Sequence, residues 1–270
     1  MNGTGTNSLS AEWIDAYSCL ECRKTIKRMN LSFAGRTFRP LPVCECARRK
    51  FDEEQKELQL NLVRSKIKAI YGEGLIDDEL KKASFESFEV RPGTETAYRI
   101  AKRFADNFAN QTFGLYLFGP VGTGKSHLAA AIHHEMIKRG KSSVFIDVTQ
   151  LFGLARSTFA RTNQKTDQDY IKAAINAELL TLDEIGLKPL TEYEFGLLFQ
   201  ILNGRKGKVT NFTSNLDLAE LDQWFRFDKN GKELDKHGRL MDRVIGSTQP
   251  IRVVAESYRK YKAMQRMKAI

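Results

Sequence analysis

Long hydrophobic runs are missing from this chain of 270 residues. No stretch approaches the roughly 18 uninterrupted apolar residues of a membrane span, which excludes a helical membrane protein. The opening Met1-Asn2-Gly3-Thr4-Gly5-Thr6 has neither the basic nor the apolar region of a signal peptide, so a cytoplasmic location is expected. Internal repeats and low-complexity tracts are absent too, which removes solenoid architectures. Acidic residues are in deficit: 33 Asp and Glu against 43 Lys and Arg leave a formal charge of +10. That balance favours polyanionic partners, nucleic acid or acidic protein surfaces, without choosing between them. It is steepest at the end, where Arg252, Arg259, Lys260, Lys262, Arg266 and Lys268 face only Glu256. Such a tail is either a solvated helix or one that contacts phosphates.

Cysteine is absent beyond residue 46. Cys19 and Cys22 form a C-x-x-C pair and, after 21 intervening residues, Cys44 and Cys46 form a C-x-C pair. Cytosolic chains rarely keep structural disulfides, whereas two close pairs across a short loop can wrap Zn²⁺ as thiolates. A redox pair or an iron–sulfur cluster is the alternative. Between the pairs, Phe33, Phe38 and Leu41 are candidates for a tiny core, too small to fold without the metal. The length allows one good-sized α/β domain plus a small appendage. The predicted organisation is a zinc-binding module over 1–50, a helical linker over 51–82, a main domain over 83–256 and a basic tail over 257–270. The linker rests on FDEEQKELQLNLVRSKIKAI, a charged run from Phe51 that is free of Gly and Pro.

Inside the main domain, Gly119-Pro120-Val121-Gly122-Thr123-Gly124-Lys125-Ser126 matches G-x-x-x-x-G-K-[ST] in full. It follows Leu115-Tyr116-Leu117-Phe118, an apolar run suited to a strand buried on both faces, and precedes Leu128-Ala129-Ala130-Ala131-Ile132, which opens a helix. The glycines turn backbone N–H groups inward around phosphates, Lys125 supplies a cation to the β- and γ-phosphates, and the Ser126 hydroxyl can ligate Mg²⁺. The nucleotide-contacting set is therefore Gly119 to Ser126 together with His127. Strand-like runs follow at 143–148, 178–182, 209–213 and 250–254, alternating with helical segments. The expected fold is α/β, a mainly parallel sheet flanked by helices, with ligands beyond the carboxyl ends of its strands. Leu179-Leu180-Thr181-Leu182-Asp183-Glu184 delivers two acids at such an end: Asp183 for the Mg²⁺ shell, Glu184 to orient and deprotonate the attacking water. The strand from Val209 ends in Thr213-Ser214-Asn215, which brings Asn215 to the same rim.

GPVGTGKSHLAAAI, LLTLDEIG, NFTSNLDLAEL and GRLMDRV…ESYRK, in this order, resemble the AAA+ ATPases of the DnaC/DnaI helicase-loader family of bacteria and phages over roughly residues 83–262. The resemblance implies a P-loop ATPase with ATP and Mg²⁺ at the phosphate loop. It also implies Asn215 as sensor 1, Arg259 as a sensor 2-like contact, and Arg243 as an arginine finger that completes a neighbour's site, so that turnover needs self-association. Without it, Arg239, Arg243 and Arg259 read as a basic helix face and tail. Only 16 residues follow Val254, too few for the helical lid of most AAA+ proteins, a truncation the family shares.

Family members place the helices after the second core strand against single-stranded DNA. That makes Arg156, Phe159 and Arg161 of LFGLARSTFAR DNA-contacting candidates, although Leu151, Phe152 and Leu154 suit a core equally well. Arg205, Lys206 and Lys208 form a second basic cluster. The implied function is a loader whose N-terminal module grips a replicative helicase while its core contacts single-stranded DNA. An IstB-like transposition ATPase acting with a transposase on duplex DNA is the alternative. A non-catalytic P-loop adaptor is disfavoured by the presence of both Glu184 and Asn215.

Overall fold

A computed structural model describes residues 9–40, 42–72, 76–158 and 165–268. They form two compact units, divided between Leu62 and Val63. In the first unit, β1 (Ser10–Ser18), β2 (Thr25–Phe33) and β3 (Arg36–Phe38) make an antiparallel sheet in the order β1-β2-β3. The pairing runs from Ser10 opposite Ser32 to Ser18 opposite Thr25, with one extra residue at Ile14. That bulge breaks the period of two that would mark a strand in the sequence. Phe33 and Phe38 do not pack the small core expected of them. Both are exposed, because the sheet carries no second layer within its own unit among the described residues. Leu41 lies outside the described residues. Helix α1 (Glu45–Tyr71) begins six residues before Phe51, with the Cys44 carbonyl accepting the Arg48 N–H.

The second unit starts within α1, whose last turns bury Ile67 and Tyr71. It continues with α2 (Asp78–Lys81), α3 (Glu95–Asp106), β4 (Gly114–Phe118), α4 (Lys125–Lys138), β5 (Ser143–Asp147), α5 (Val148–Ser157) and α6 (Asp167–Asn176). Then come β6 (Leu179–Ile185), α7 (Glu192–Gly204), β7 (Thr210–Ser214), α8 (Leu218–Arg226), α9 (Arg239–Ser247), β8 (Thr248–Arg252) and α10 (Tyr258–Lys268). Every strand expected of the main domain is present, with ends displaced by a few residues. Among the described residues no helix is long and apolar enough to cross a membrane.

The five strands are parallel, in the order β5-β6-β7-β4-β8. Alternation along β4 shows why the sheet is covered on both sides. Leu115 and Leu117 join one core with Ala101 and Phe104 of α3 and Leu128 and Ile132 of α4. Tyr116, pointing the other way, joins Leu151, Leu197, Leu221 and Val244 of the helices on the opposite face. The chain leaves β4 for the far edge at β5 and works back through β6 and β7, so β7 ends beside β4. That reversal opens a crevice at the carboxyl ends of β6, β7 and β4. Helices α6, α7 and α8 each start with a capping box. α4 has no side-chain cap, which leaves its first N–H groups available to an anion held in the phosphate loop.

Candidate nucleotide site

The loop between β4 and α4 is held from both sides. Gly119 N–H donates to Ser214 O at 3.2 Å, and Val253 N–H donates to Phe118 O at 2.8 Å. At Gly124 φ is +99°, and a Cβ would stand 2.7 Å from Phe88 Cε2; at Gly122 φ is +79°, and a Cβ would stand 2.3 Å from Ser257 Oγ. Both positions thus demand glycine for conformation and for space. Lys125 Nζ is buried at the floor, donating to Gly119 O (2.7 Å), Pro120 O (2.7 Å) and Asn215 Oδ1 (3.0 Å). Burial lowers its pKa to about 8 against the opposing pull of Asp183 and Glu184.

Asp183 and Glu184 leave β6 where its pairing with β7 slips, between Leu182 and Ile185. Glu184 has φ of +55°, a left-handed conformation rare outside glycine, so the backbone is strained where the two acids emerge. Thr213 of β7 braces both: its hydroxyl donates to Asp183 Oδ1 and accepts the Glu184 N–H at 3.0 Å. Burial pushes the Asp183 carboxyl up to about 6, opposed by hydrogen bonds from Thr213 and Ser126. Glu184 is raised as well, first by burial and then by Asp147 at the end of β5. A buried carboxylate beside the Ser126 hydroxyl, in reach of two further acids, suits a divalent cation, which would relieve that crowding.

Lys125, Ser126, Glu184 and Thr213 line a cavity of about 550 Å³ together with Leu80, Phe88, Arg91, Asn215 and α10, while Asp183 and Asp147 line a second one that shares Ser126, Glu184 and Arg259 with it. The basic tail is a helix laid over this cavity. Tyr258 N–H donates to Gly122 O at 2.8 Å, Arg91 Nη1 donates to Glu256 O at 2.8 Å, and the Arg91 guanidinium lies 5.0 Å from the Tyr258 ring centroid. Arg259 and Lys262 line the cavity, with Arg259 Nη2 3.7 Å from Glu79 and Lys262 Nζ 3.2 Å from Glu89. His127 also lines the cavity, with its Nε2 3.0 Å from Ser84 O and 3.2 Å from Ser87 Oγ, docking the segment that leads into α3. Nothing in the sequence singles out Arg91 as part of this site. Thr213 is the first member of the polar triplet at the strand end, and that position is the only local signal for it.

Other candidates sit elsewhere. Arg243 is not among the residues lining the cavity; it lies on α9 with Nη1 3.9 Å from Asp242 and with a buried Nε that has no hydrogen-bond partner. Arg156 Nη2 donates to the buried Glu194 at 2.9 Å, and Lys188 approaches the same carboxylate at 3.6 Å. Phe159 and Arg161 lie outside the described residues. Arg205 is not part of a basic surface. It is buried, and it donates to Thr210 Oγ1 (2.8 Å) and to the carbonyls of Ala174 (2.6 Å) and Ala177 (2.9 Å) at the end of α6. Lys208 Nζ likewise donates to Ile175 O at 2.7 Å.

In the first unit the four cysteines are free and meet, all four sulfurs lying within 4.8 Å of one another. Tetrahedral zinc with bonds of about 2.3 Å needs sulfurs roughly 3.8 Å apart, so the cage has the right size. Backbone N–H groups of Cys22 and Glu21 lower the Cys19 thiol to about 6, while hydrogen bonding to Cys44 pushes Cys46 up to about 12. Four thiols so crowded can ionise together only around a cation. The C-x-C spacing follows from the helix, since Cys44 precedes α1 and Cys46 is in its first turn, where helix N–H groups favour thiolates.

A family model described as IstB-like ATP binding protein matches residues 77–266. The replicative helicase loader DnaC of Buchnera aphidicola subsp. Schizaphis graminum is 32% identical over 156 residues, which is 56% of this chain and 63% of that protein. The loader DnaC of Buchnera aphidicola subsp. Baizongia pistaciae is 32% identical over 180 residues, covering 63% and 73%. The chain thus spans a little under two thirds of the first of these relatives. A crystal structure of DnaI superposes with a TM-score of 0.56 at 27% identity, over 68% of this chain and 97% of that one.

Proposed function

Since the chain belongs to the family of IstB-like ATP-binding proteins, as a DnaC-type AAA+ member, we propose that it loads a replicative helicase onto single-stranded DNA and hydrolyses ATP in doing so. The observation that carries the reading is the convergence of Lys125, Asp183, Glu184 and Asn215 on one crevice at the ends of β4, β6 and β7. The phosphate-loop amides and Lys125 hold the β- and γ-phosphates, and Ser126 with Asp183 holds Mg²⁺, which neutralises phosphate charge when bound. Glu184 takes the proton of the attacking water, a task suited by a pKa raised toward neutrality. Asn215 fixes Lys125 and orients the water, and Arg259 reaches in from α10.

Arg243, half-buried on α9 away from its own cavity, serves the site of a neighbouring copy, so turnover depends on assembly. The N-terminal zinc module grips the helicase. The end of α5, with Arg156, meets single-stranded DNA together with Phe159 and Arg161. A transposition ATPase acting on duplex DNA draws on the name of the family model; the relatives named as helicase loaders and the cysteine cage favour the loader.

Loading of the cognate helicase onto a single-stranded circle coated with its binding protein tests the function. Helicase transfer that needs this chain and ATP supports it, whereas failure with every helicase of the host, alongside stimulation of a transposase, supports the transposition reading. Glu184→Gln tests the chemistry: turnover should fall about 10²- to 10⁴-fold with nucleotide binding retained, and undiminished turnover rejects Glu184 as the base.

A further inference from the structure

The antiparallel register sorts the sheet of the first unit into two unlike faces, because residues paired across strands point to the same side. One face carries Trp13 opposite Met29, Phe38 opposite Leu31 and Phe33 opposite Arg36. Lys27 belongs to it as well, its Nζ 5.4 Å from the Trp13 ring centroid. The two acids of these strands are on the other face, Glu12 opposite Asn30 and Asp15 opposite Arg28, where Arg28 Nε donates to Asp15 Oδ1 at 2.6 Å. The aromatic face therefore holds no carboxylate, and its charges are Lys27 and Arg36.

Its rings are open to solvent, Trp13 at 62%, Phe38 at 55% and Phe33 at 45% of full exposure. Aromatic rings gathered on one exposed surface mark a binding face. With strands about 4.8 Å apart and a rise of about 3.4 Å per residue, Trp13 and Phe38 flank β2 diagonally at roughly 12 Å from one another, with Met29 and Leu31 as the floor between them. An acidic protein surface would satisfy Lys27 and Arg36 and leave the rings without matching partners. Duplex DNA would offer phosphates and keep its bases stacked inside. A single strand supplies both, a planar base for each ring and a phosphate for each cation.

We infer that this face binds single-stranded nucleic acid, with bases stacked on Trp13, Phe33 and Phe38 and phosphates paired with Lys27 and Arg36. The site is distinct from the end of α5 and does not depend on the loader reading. It gives the cysteine cage a further task, because Cys19, Cys22 and Cys44 follow the ends of β1 and β3 and tie the sheet to the start of α1.

The chain has two tryptophans, Trp13 and Trp224, so Trp224→Phe in the full chain leaves Trp13 as the only indole reporter. Titration of that variant with an oligothymidylate should quench Trp13 emission saturably, because a base stacked on an indole quenches it, and added salt should weaken the binding. Trp13→Leu combined with Phe38→Leu should weaken oligothymidylate binding about tenfold or more. Lys27→Gln should lower the slope of log affinity against log salt by about one. Both rings are exposed, and an unchanged far-ultraviolet circular dichroism spectrum would confirm that the double variant folds. Trp13 emission unmoved by saturating oligothymidylate overturns the inference. So does a folded double variant that keeps its oligothymidylate affinity but loses a replicative helicase, which would make the face a protein-docking surface.

Discussion

Thr213→Val deletes a single hydroxyl from the centre of the site and nearly preserves the shape of the side chain. Thr213 is buried, and its Oγ1 donates to the Asp183 carboxylate while accepting the Glu184 N–H at 3.0 Å. A hydrogen bond to a charged group contributes about 1.5–3 kcal/mol, an orphaned buried amide costs about 1–3 kcal/mol, and the added methyl recovers about 1 kcal/mol. The net loss is about 3 kcal/mol, which for a unit of this size lowers the melting temperature by roughly 6–12 °C. Chemistry should suffer too. Thr213 opposes the burial that raises Asp183 to about 6, so its removal raises that carboxyl further. A raised carboxyl is ionised only at higher pH, so the acid limb of the turnover profile moves upward in pH. Half-saturation by Mg²⁺ should need roughly 10–100 times more metal, the usual effect of losing a partner behind a ligand. Scanning calorimetry and turnover against Mg²⁺ at several pH values read both effects, and Thr213→Ser should restore them. A valine variant that melts within about 1 °C of the parent with unaltered Mg²⁺ dependence refutes the bracing role.

Arg243→Ala should leave nucleotide affinity of the dilute chain unchanged while turnover at assembling concentrations falls about 10³-fold; weakened binding in the dilute chain would instead place Arg243 in its own site. Cys44→Ser should reduce zinc, measured by elemental analysis, to background and abolish the first unit's circular dichroism contribution without moving the melting of the second unit; a chain that stays fully structured without zinc contradicts the cage. His133 is buried against Ser143 Oγ at 2.8 Å, and burial followed by the charge of His134 lowers its pKa to about 3. The unfolded state, with a pKa near 6.5, then binds the extra proton, so this residue makes stability fall by about 1.4 kcal/mol per pH unit as pH drops from 6.5 toward 3. His133→Gln should flatten that part of the profile in urea titrations, and an equally steep profile would show that another group carries it.

The sequence by itself determined the local chemistry. The phosphate loop is eight consecutive residues between a strand and a helix, and the Asp183-Glu184 pair closes an apolar run, so both follow from short-range pattern. The alternation of five apolar runs with helices likewise sufficed for a parallel sheet. Other features depended on contacts between residues far apart in the chain. Strand order alone brings Asn215 to within 3.0 Å of Lys125, ninety residues earlier. The same order sets Thr213 against Asp183, and no window of sequence carries that pairing. Arg205 shows the converse. It looks like surface charge in sequence, yet the carbonyls closing α6 converge on it, and a guanidinium has the donors to satisfy several at once. The last residues read as a charged tail of uncertain contacts, and folding turned them into the helix that covers the nucleotide cavity through Arg91, Tyr258 and Lys262. In the first unit the cysteine spacing was legible, whereas the sheet whose aromatic face lies open was not, because its bulge at Ile14 breaks the alternation that marks a strand. Hydrophobic period and motif spacing are properties of neighbouring residues. Strand order and the convergence of helix ends are properties of the packed chain, settled by which buried polar groups must find one another.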